Sequence, residues 1–151
     1  MDIKVLLEDG AHMPTKAHKE DAGYDIRAMY DFTVPPAQAW GTGDTKEVDI
    51  GCITHNTGVH IQIPEGYTGF LKSKSGLNVK YGLTGEGVID SGYTGSIRVK
   101  LYNHTSKAYK FKKGDKISQL VILPIASPEL VLTDEFEPTE RGNGGFGSTG
   151  R

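Results

Sequence analysis

Five polar segments of this chain hold the residue types that could do chemistry. The first, residues 22–28, contains one carboxylate, Asp25, between Tyr24 and Ile26. That carboxylate could hold a hydrated cation or cap a turn, and both readings stand at this point. The second places Lys74 and Ser75 ahead of Gly76 and Leu77. A serine at a helix start beside a lysine suits an anion, because the first N–H groups of a helix lack partners. A plain N-cap asks for the same serine. The third runs Gly87, Val88, Ile89, Asp90, Ser91, Gly92, Tyr93, Thr94, Gly95. Asp90 in a pocket could orient and deprotonate a water, although an acid near glycine is also ordinary turn chemistry. In the fourth, Asp115 is expected to set a turn, and Gln119 heads an apolar run, where a buried amide needs partners. The fifth is Arg141 to Arg151, with five glycines around a single Phe146. Composition alone gives a flexible tail. The arginines, the phenylalanine and the Ser148–Thr149 pair favour a segment that orders over a phosphate and lays a ring on a base.

Strands must position these segments. Val59 to Ile63 and Ile97 to Leu101 alternate apolar and polar residues, which predicts one buried and one wet face. Gln119 to Leu123 is a continuous apolar run, expected of a strand covered on both faces. Shorter strands are predicted at residues 4–7, 32–34, 68–71, 109–112 and 129–132. Glycine or proline punctuates nearly every gap, and many short strands at this spacing indicate a sandwich or barrel. One short helix is predicted over residues 75–81, with Ser75 near its N-cap and Gly82 as its stop. Residues 39–56 read as a long hairpin loop in which Trp40 either packs at the rim, the favoured reading, or stands as an exposed anchor.

The chain has 151 residues, the size of one ordinary domain, with 36% hydrophobic residues and 20 glycines besides. Its 17 basic and 19 acidic residues leave a net charge of −2, which argues against nucleic-acid binding through bulk charge. No apolar run approaches 18 residues, so no membrane span is expected. The opening segment carries acids too early for a signal peptide, and a cytoplasmic protein is expected. The single cysteine, Cys52, excludes an internal disulfide and is expected in the core. The five histidines show no ligand spacing, and neither a Walker loop nor a dinucleotide fingerprint is present.

In their order and spacing the five segments resemble the motifs of the trimeric dUTP pyrophosphatases. The matching stretches are residues 22–28, 74–77, 87–103, 114–122 and 141–150, the last reading Arg-Gly-x-Gly-Gly-Phe-Gly-Ser-Thr-Gly. The resemblance implies an all-β, jelly-roll-like sandwich or barrel over residues 1–140, with a flexible glycine-rich tail over 141–151. It implies a homotrimer with sites at subunit junctions and Mg²⁺-dependent hydrolysis of dUTP to dUMP and pyrophosphate. Asp90 is then the water-activating residue, and Asp25 holds Mg²⁺ through water. Lys74, Ser75 and Gly76 meet phosphate oxygens, and Gln119 anchors their network. Tyr93 lies against the deoxyribose. Thr84, Gly87, Val88 and Ile89 belong to the hairpin that receives uracil. Phe146 stacks on the base, while Arg141, Gly147, Ser148 and Thr149 close over the phosphates. The chain departs from the family pattern at Lys74, where arginine is usual, at Ser91-Gly92 and Thr94, where Asp-x-Asp-Tyr-Arg-Gly loses its second acid and its arginine, and at Thr84, where many relatives carry asparagine. A dCTP deaminase would share the fold and would need Glu86 poised at the base. A non-enzymatic nucleotide-sensing protein would rely on residues 39–56.

Overall fold

Apolar residues two apart along most strands create two unlike faces, and burying one of them sets the architecture. The computed structural model describes residues 1–40 and 47–145. In chain order the strands are β1 (Lys4–Leu7), β2 (Gly23–Arg27), β3 (Phe32–Val34), β4 (Gln38–Trp40), β5 (Glu47–Asp49), β6 (Gly51–Gln62), β7 (Tyr67–Lys72), β8 (Leu83–Thr84), β9 (Gly87–Ile89), β10 (Ser96–Asn103), β11 (Tyr109–Phe111) and β12 (Lys116–Pro124). The helix α1 (Ser75–Tyr81) lies between β7 and β8.

Two four-stranded sheets carry the fold, one ordered β1-β6-β10-β8 and the other β2-β12-β7-β9, with every pairing antiparallel. Their inner faces share one core, in which Ile26, Val59, Leu71, Ile97, Leu101 and Leu120 are buried. Each fully buried Ile or Leu contributes about 2 kcal/mol. Both sheets end in open edges, so the jelly-roll expectation is realised as a sandwich and not as a closed barrel. β8 and β9 are separated by only Gly85 and Glu86 yet belong to opposite sheets, so this short hairpin bridges the sandwich.

The alternation predicted in β6 and β10 holds: Val59, Ile61, Val99 and Leu101 are buried while Gln62, Arg98 and Lys100 are exposed. The helix has the predicted span. Lys74, not Ser75, is its N-cap residue, it makes no side-chain cap bond, and Gly82 ends the helix in the left-handed region. Other expectations need correcting. In β12, Leu120 is buried but Leu123 is 45% exposed, because in one chain only the inner face of this strand is covered. Residues 129–132 form no strand, and Leu130, Val131 and Leu132 stand in solvent, since no strand lies beside them to pair with. Part of residues 39–56 is not loop: the β4–β5 ribbon is followed by β6, which begins at Gly51. Trp40 is 55% exposed on that ribbon and does not pack at a rim. Cys52 is exposed, because the period of two in β6 turns it outward while His55 turns inward.

His55 is a titratable group buried in this core. Its ring stacks on Phe32 at 4.2 Å and tilts against Tyr30 at 4.3 Å. Its Nε2 accepts the Met29 N–H at 3.0 Å, and its Nδ1 has no partner. Burial lowers its pKa from 6.5 to about 4. The unfolded chain therefore takes up this proton first. The stability that His55 contributes as a neutral ring is complete above pH 6.5 and falls as pH drops from 6.5 toward about 4. His55→Gln keeps an acceptor for Met29 and removes the titration. Thermal melts between pH 7 and 4 should show a shallower loss of Tm for this variant than for the parent chain.

Candidate active site

The register of the second sheet sets Asp25, Gln119 and Lys72 side by side on β2, β12 and β7. Residues directly opposite in antiparallel strands share a face, so these three form one row. Asp25 is 6% exposed, which would be costly for a lone carboxylate. Two ammonium groups offset the cost: Lys74, at the entrance to α1, reaches Oδ1 at 2.5 Å, and Lys116, at the head of β12, reaches Oδ2 at 2.5 Å. Burial alone would raise the Asp25 pKa. The hydrogen bonds and charges of Lys116 and Lys74 outweigh it and hold the carboxyl below the usual range. The Asp25 backbone N–H is also fixed, donating to the Thr15 carbonyl at 2.7 Å.

Gln119 finds the partner its position demanded. Its Nε2 donates to the Ser73 carbonyl at 3.0 Å, just ahead of Lys74. The amide lies across β2, where Gly23 makes room; a Cβ there would fall 2.6 Å from Gln119 Oε1. Ser75 and Gly76 are exposed at the start of α1, beside this cluster. With two lysines against one aspartate, the cluster carries a net charge of +1 and favours an anion.

Ser73 also fastens the bridging hairpin. Its Oγ accepts the Gly85 N–H at 2.9 Å and donates to the Gly85 carbonyl at 3.1 Å. Glu86 pairs with Lys72 at 2.5 Å, and both side chains are about half exposed. That surface pairing does not suit the base-poised acid of a deaminase. Thr84 meets His104 Nε2 through its hydroxyl at 2.8 Å. Gly87, Val88 and Ile89 form β9, where Ile89 is buried and Val88 is exposed.

Asp90 lies elsewhere. β9 pairs with β7 through Leu71↔Gly87 and Gly69↔Ile89, so it runs away from Lys72. Asp90 therefore leaves the sheet level with Thr68, whose Oγ donates to the Ile89 carbonyl at 3.1 Å. Four residues of strand, roughly 13 Å, separate that end from Lys72. Asp90 is exposed and opens a turn closed by the Tyr93 N–H at 3.2 Å. Tyr93 folds back to donate to the Ser96 carbonyl at 3.1 Å, with its ring over Gly95; a Cβ at Gly95 would sit 2.5 Å from the Tyr93 hydroxyl oxygen. One chain thus brings Asp25, Lys74, Ser75, Gly76 and Gln119 together and sets Asp90 and Tyr93 at the other end of the sheet.

Arg141 is exposed and bonds the Gly144 carbonyl of its own turn at 2.9 Å. Phe146, Gly147, Ser148 and Thr149 lie outside the described residues. Sequence reasoning missed Lys116 and Ser73. Lys116 had a signal, a cation heading a strand just after a turn aspartate. Ser73 had none, because its role depends on a hairpin twelve residues away. Asp115 accepts the Lys112 N–H at 2.8 Å through its side chain, the expected turn role.

A family model described as dUTPase matches residues 9–150. The chain belongs to the dUTPase family. The deoxyuridine 5'-triphosphate nucleotidohydrolase of Paramecium bursaria Chlorella virus 1 is 40% identical over 149 residues, which cover 98% of this chain and 96% of the relative. The Saccharomyces cerevisiae protein of the same name is 40% identical over 151 residues, covering 98% and 94%. Among solved structures, a mutant Staphylococcus bacteriophage 80alpha dUTPase with dUpNHpp superimposes with a TM-score of 0.84 at 33% identity, over 99% of both chains. A mutant dUTPase of S. aureus phage phi11, described for its coordination of a structural Mg(II) ion, gives a TM-score of 0.76 at 31% identity over 90% of this chain and 99% of its own. These dUTPase matches agree with the all-β sandwich described above.

Removing the carboxylate should leave two ammonium groups facing each other. Asp25→Asn should cost on the order of 2 kcal/mol in denaturant unfolding, below the ~3–5 kcal/mol of a fully buried pair because both lysines are partly in water. The folded pKa is lowered, so the parent chain should hold this contribution at neutral pH and lose it in acid, as pH falls through the folded value. Asp25→Asn should lack that acid-limb loss.

Proposed function

We propose that this chain hydrolyses dUTP to dUMP and pyrophosphate, as a homotrimer whose sites form where chains meet. One observation carries the reading. The acid suited to activate a water, Asp90, and the cationic group suited to hold a triphosphate, Lys74 with Lys116, sit on one sheet of a dUTPase-family fold but at opposite ends. A site that uses both needs a second chain.

In that site Asp90 orients a water for in-line attack at the α-phosphorus and takes its proton. The new bond is between the water oxygen and the α-phosphorus; the bond that breaks joins the α-phosphorus to the bridging oxygen, which leaves with pyrophosphate. Lys74, Ser75 and Gly76 contact phosphate oxygens, and Gln119, fixed on Ser73, anchors the network. Tyr93 fills the space a 2′-hydroxyl would take. Thr84, Gly87, Val88 and Ile89 line the uracil side. Residues 1–140 serve as the β domain. Residues 141–151 serve as a tail that closes a neighbour's site, with Phe146 on the base and Arg141, Gly147, Ser148 and Thr149 at the phosphates, excluding water.

The donor set fits Mg²⁺ delivered on the nucleotide. Each Asp25 oxygen gives one lone pair to a lysine and keeps another that can accept from a metal-bound water. The +1 cluster opposes a bare cation, and no group of three or more His, Cys, Asp or Glu residues gathers among the described residues. Bound Mg²⁺ would neutralise the triphosphate and fix its coil. No helix among the described residues is long and apolar enough to cross a membrane.

Pyrophosphate release over a panel of nucleoside triphosphates tests the substrate, and dUTP should exceed all others. Asp90→Asn should lower kcat by roughly two to four orders of magnitude while nucleotide binding and assembly persist. Chains lacking residues 141–151, co-refolded with Asp90→Asn chains, should give more activity than the two homo-oligomers summed. Equality at every mixing ratio would contradict the junction site.

Sugar selection has its own check. Gly95→Ala would collide with the Tyr93 hydroxyl and displace the ring. It should reduce the kcat/KM ratio of dUTP over UTP, as Tyr93→Ala should. An unchanged ratio in Tyr93→Ala would assign ribose rejection to another group.

A further inference from the structure

Residues 90–94 are exposed, and the two Tyr93 hydrogen bonds are local, one to the Asp90 carbonyl and one to the Ser96 carbonyl at the start of β10. Something in the body must hold this turn. β6 supplies His60, opposite Leu6 of β1 and Ser96 of β10, on the outward face of the first sheet. Its Nδ1 lies 2.8 Å from the Thr94 carbonyl, and its Nε2 lies 2.9 Å from Glu8 Oε1. Glu8 is itself fixed, because its backbone N–H donates to the Gly58 carbonyl at 2.9 Å. Beside this contact, Ser96 Oγ donates to Asn56 Oδ1 at 2.5 Å, and the β6–β10 register shifts between Ser96 and Arg98. The ladder is irregular where the turn joins it, so side chains carry the alignment there.

We propose that His60 is a positioning residue for the reaction: clamped by Glu8, it fastens the Thr94 carbonyl and so sets where the turn presents Asp90 and Tyr93. The inference rests on the reading of Asp90 as the water-activating residue. Both ring nitrogens face acceptors, and only the imidazolium donates from both. The Thr94 carbonyl first, and then Glu8, hold the His60 pKa above its ordinary value against a small opposing effect of burial. Glu8 and the Thr94 carbonyl thus favour the doubly protonated ring, the form that can donate to both at once. The shallow cavity on this face is also lined by Lys4, Leu6, Gln62 and Thr94, so Lys4 is a second charged group beside the ring. Opposite it, β10 presents the uncharged Ser96.

The test compares His60→Ala, Glu8→Ala and the double variant in dUTP hydrolysis, with Asp90→Asn alongside. His60→Ala should lower kcat by about tenfold with KM changed less than about threefold, the pattern of a misplaced reacting group and not of lost binding. Glu8→Ala, at a half-buried side chain whose backbone bond to Gly58 is kept, should give a smaller loss in kcat. The double variant should be no worse than His60→Ala, because both act through one contact. Parental kcat in both single variants, or losses that simply multiply, would overturn the proposal. If Asp90→Asn turns over normally, the reading of the site fails. If Asp90→Asn is inactive while His60→Ala and Glu8→Ala match the parent, the positioning role alone fails.

Discussion

A buried carboxylate between two ammonium groups holds together everything on one side of the site. Asp25 contributes the charge, Lys74 brings the entrance of α1 to it, and Lys116 brings the head of β12. The two lysines offset the cost of burying Asp25, and Asp25 offsets their mutual repulsion. Because Lys74 is tied at this point, Ser75 and Gly76 are presented beside it, and Gln119 reaches the Ser73 carbonyl. The cluster is structural and electrostatic together. It pins three elements and leaves one unit of positive charge beside the exposed Ser75 and Gly76.

The opposite half of the chemistry is held by a different logic. The 90–95 turn has no buried charge and few internal bonds. Its geometry comes from the end of β9, fixed by Thr68, and from the contacts of Thr94 and Ser96 with His60 and Asn56 of β6. The two halves are joined through β7, which carries Ser73 and Lys74 just past one end and meets Ile89 near the other. That strand keeps the two groups apart within one chain. The hairpin from β8 to β9 crosses between the sheets and is clamped at Gly85 by Ser73, next to Lys74.

The chain's departures from the usual family pattern acquire physical meaning here. A lysine at position 74 makes a single short contact with Asp25, where a planar guanidinium would offer a fork. Thr94, standing where the family usually has an arginine, engages His60 through its backbone carbonyl, so that the contact does not depend on its side chain. Thr84 spends its hydroxyl on His104.

Much of this was legible without coordinates. The period of two in β6 and β10 depends only on neighbours along the chain, so those strands and their inward faces could be read directly. The same is true of the helix over 75–81, bounded by local signals. The five segments could be matched to one family because their residue types and order are a property of the chain. Register could not be read, because it depends on which strand lies beside which. That Asp25 is neutralised by Lys116, ninety-one residues away, follows from β2 pairing with β12. That residues 129–132 pair with nothing and that Leu123 is left uncovered are likewise decided by neighbours in space. The sequence determined which groups exist and which faces they prefer. The tertiary structure decided which charges meet, because Coulomb energy and burial depend on distance through space, and a sheet brings together residues that the chain keeps far apart.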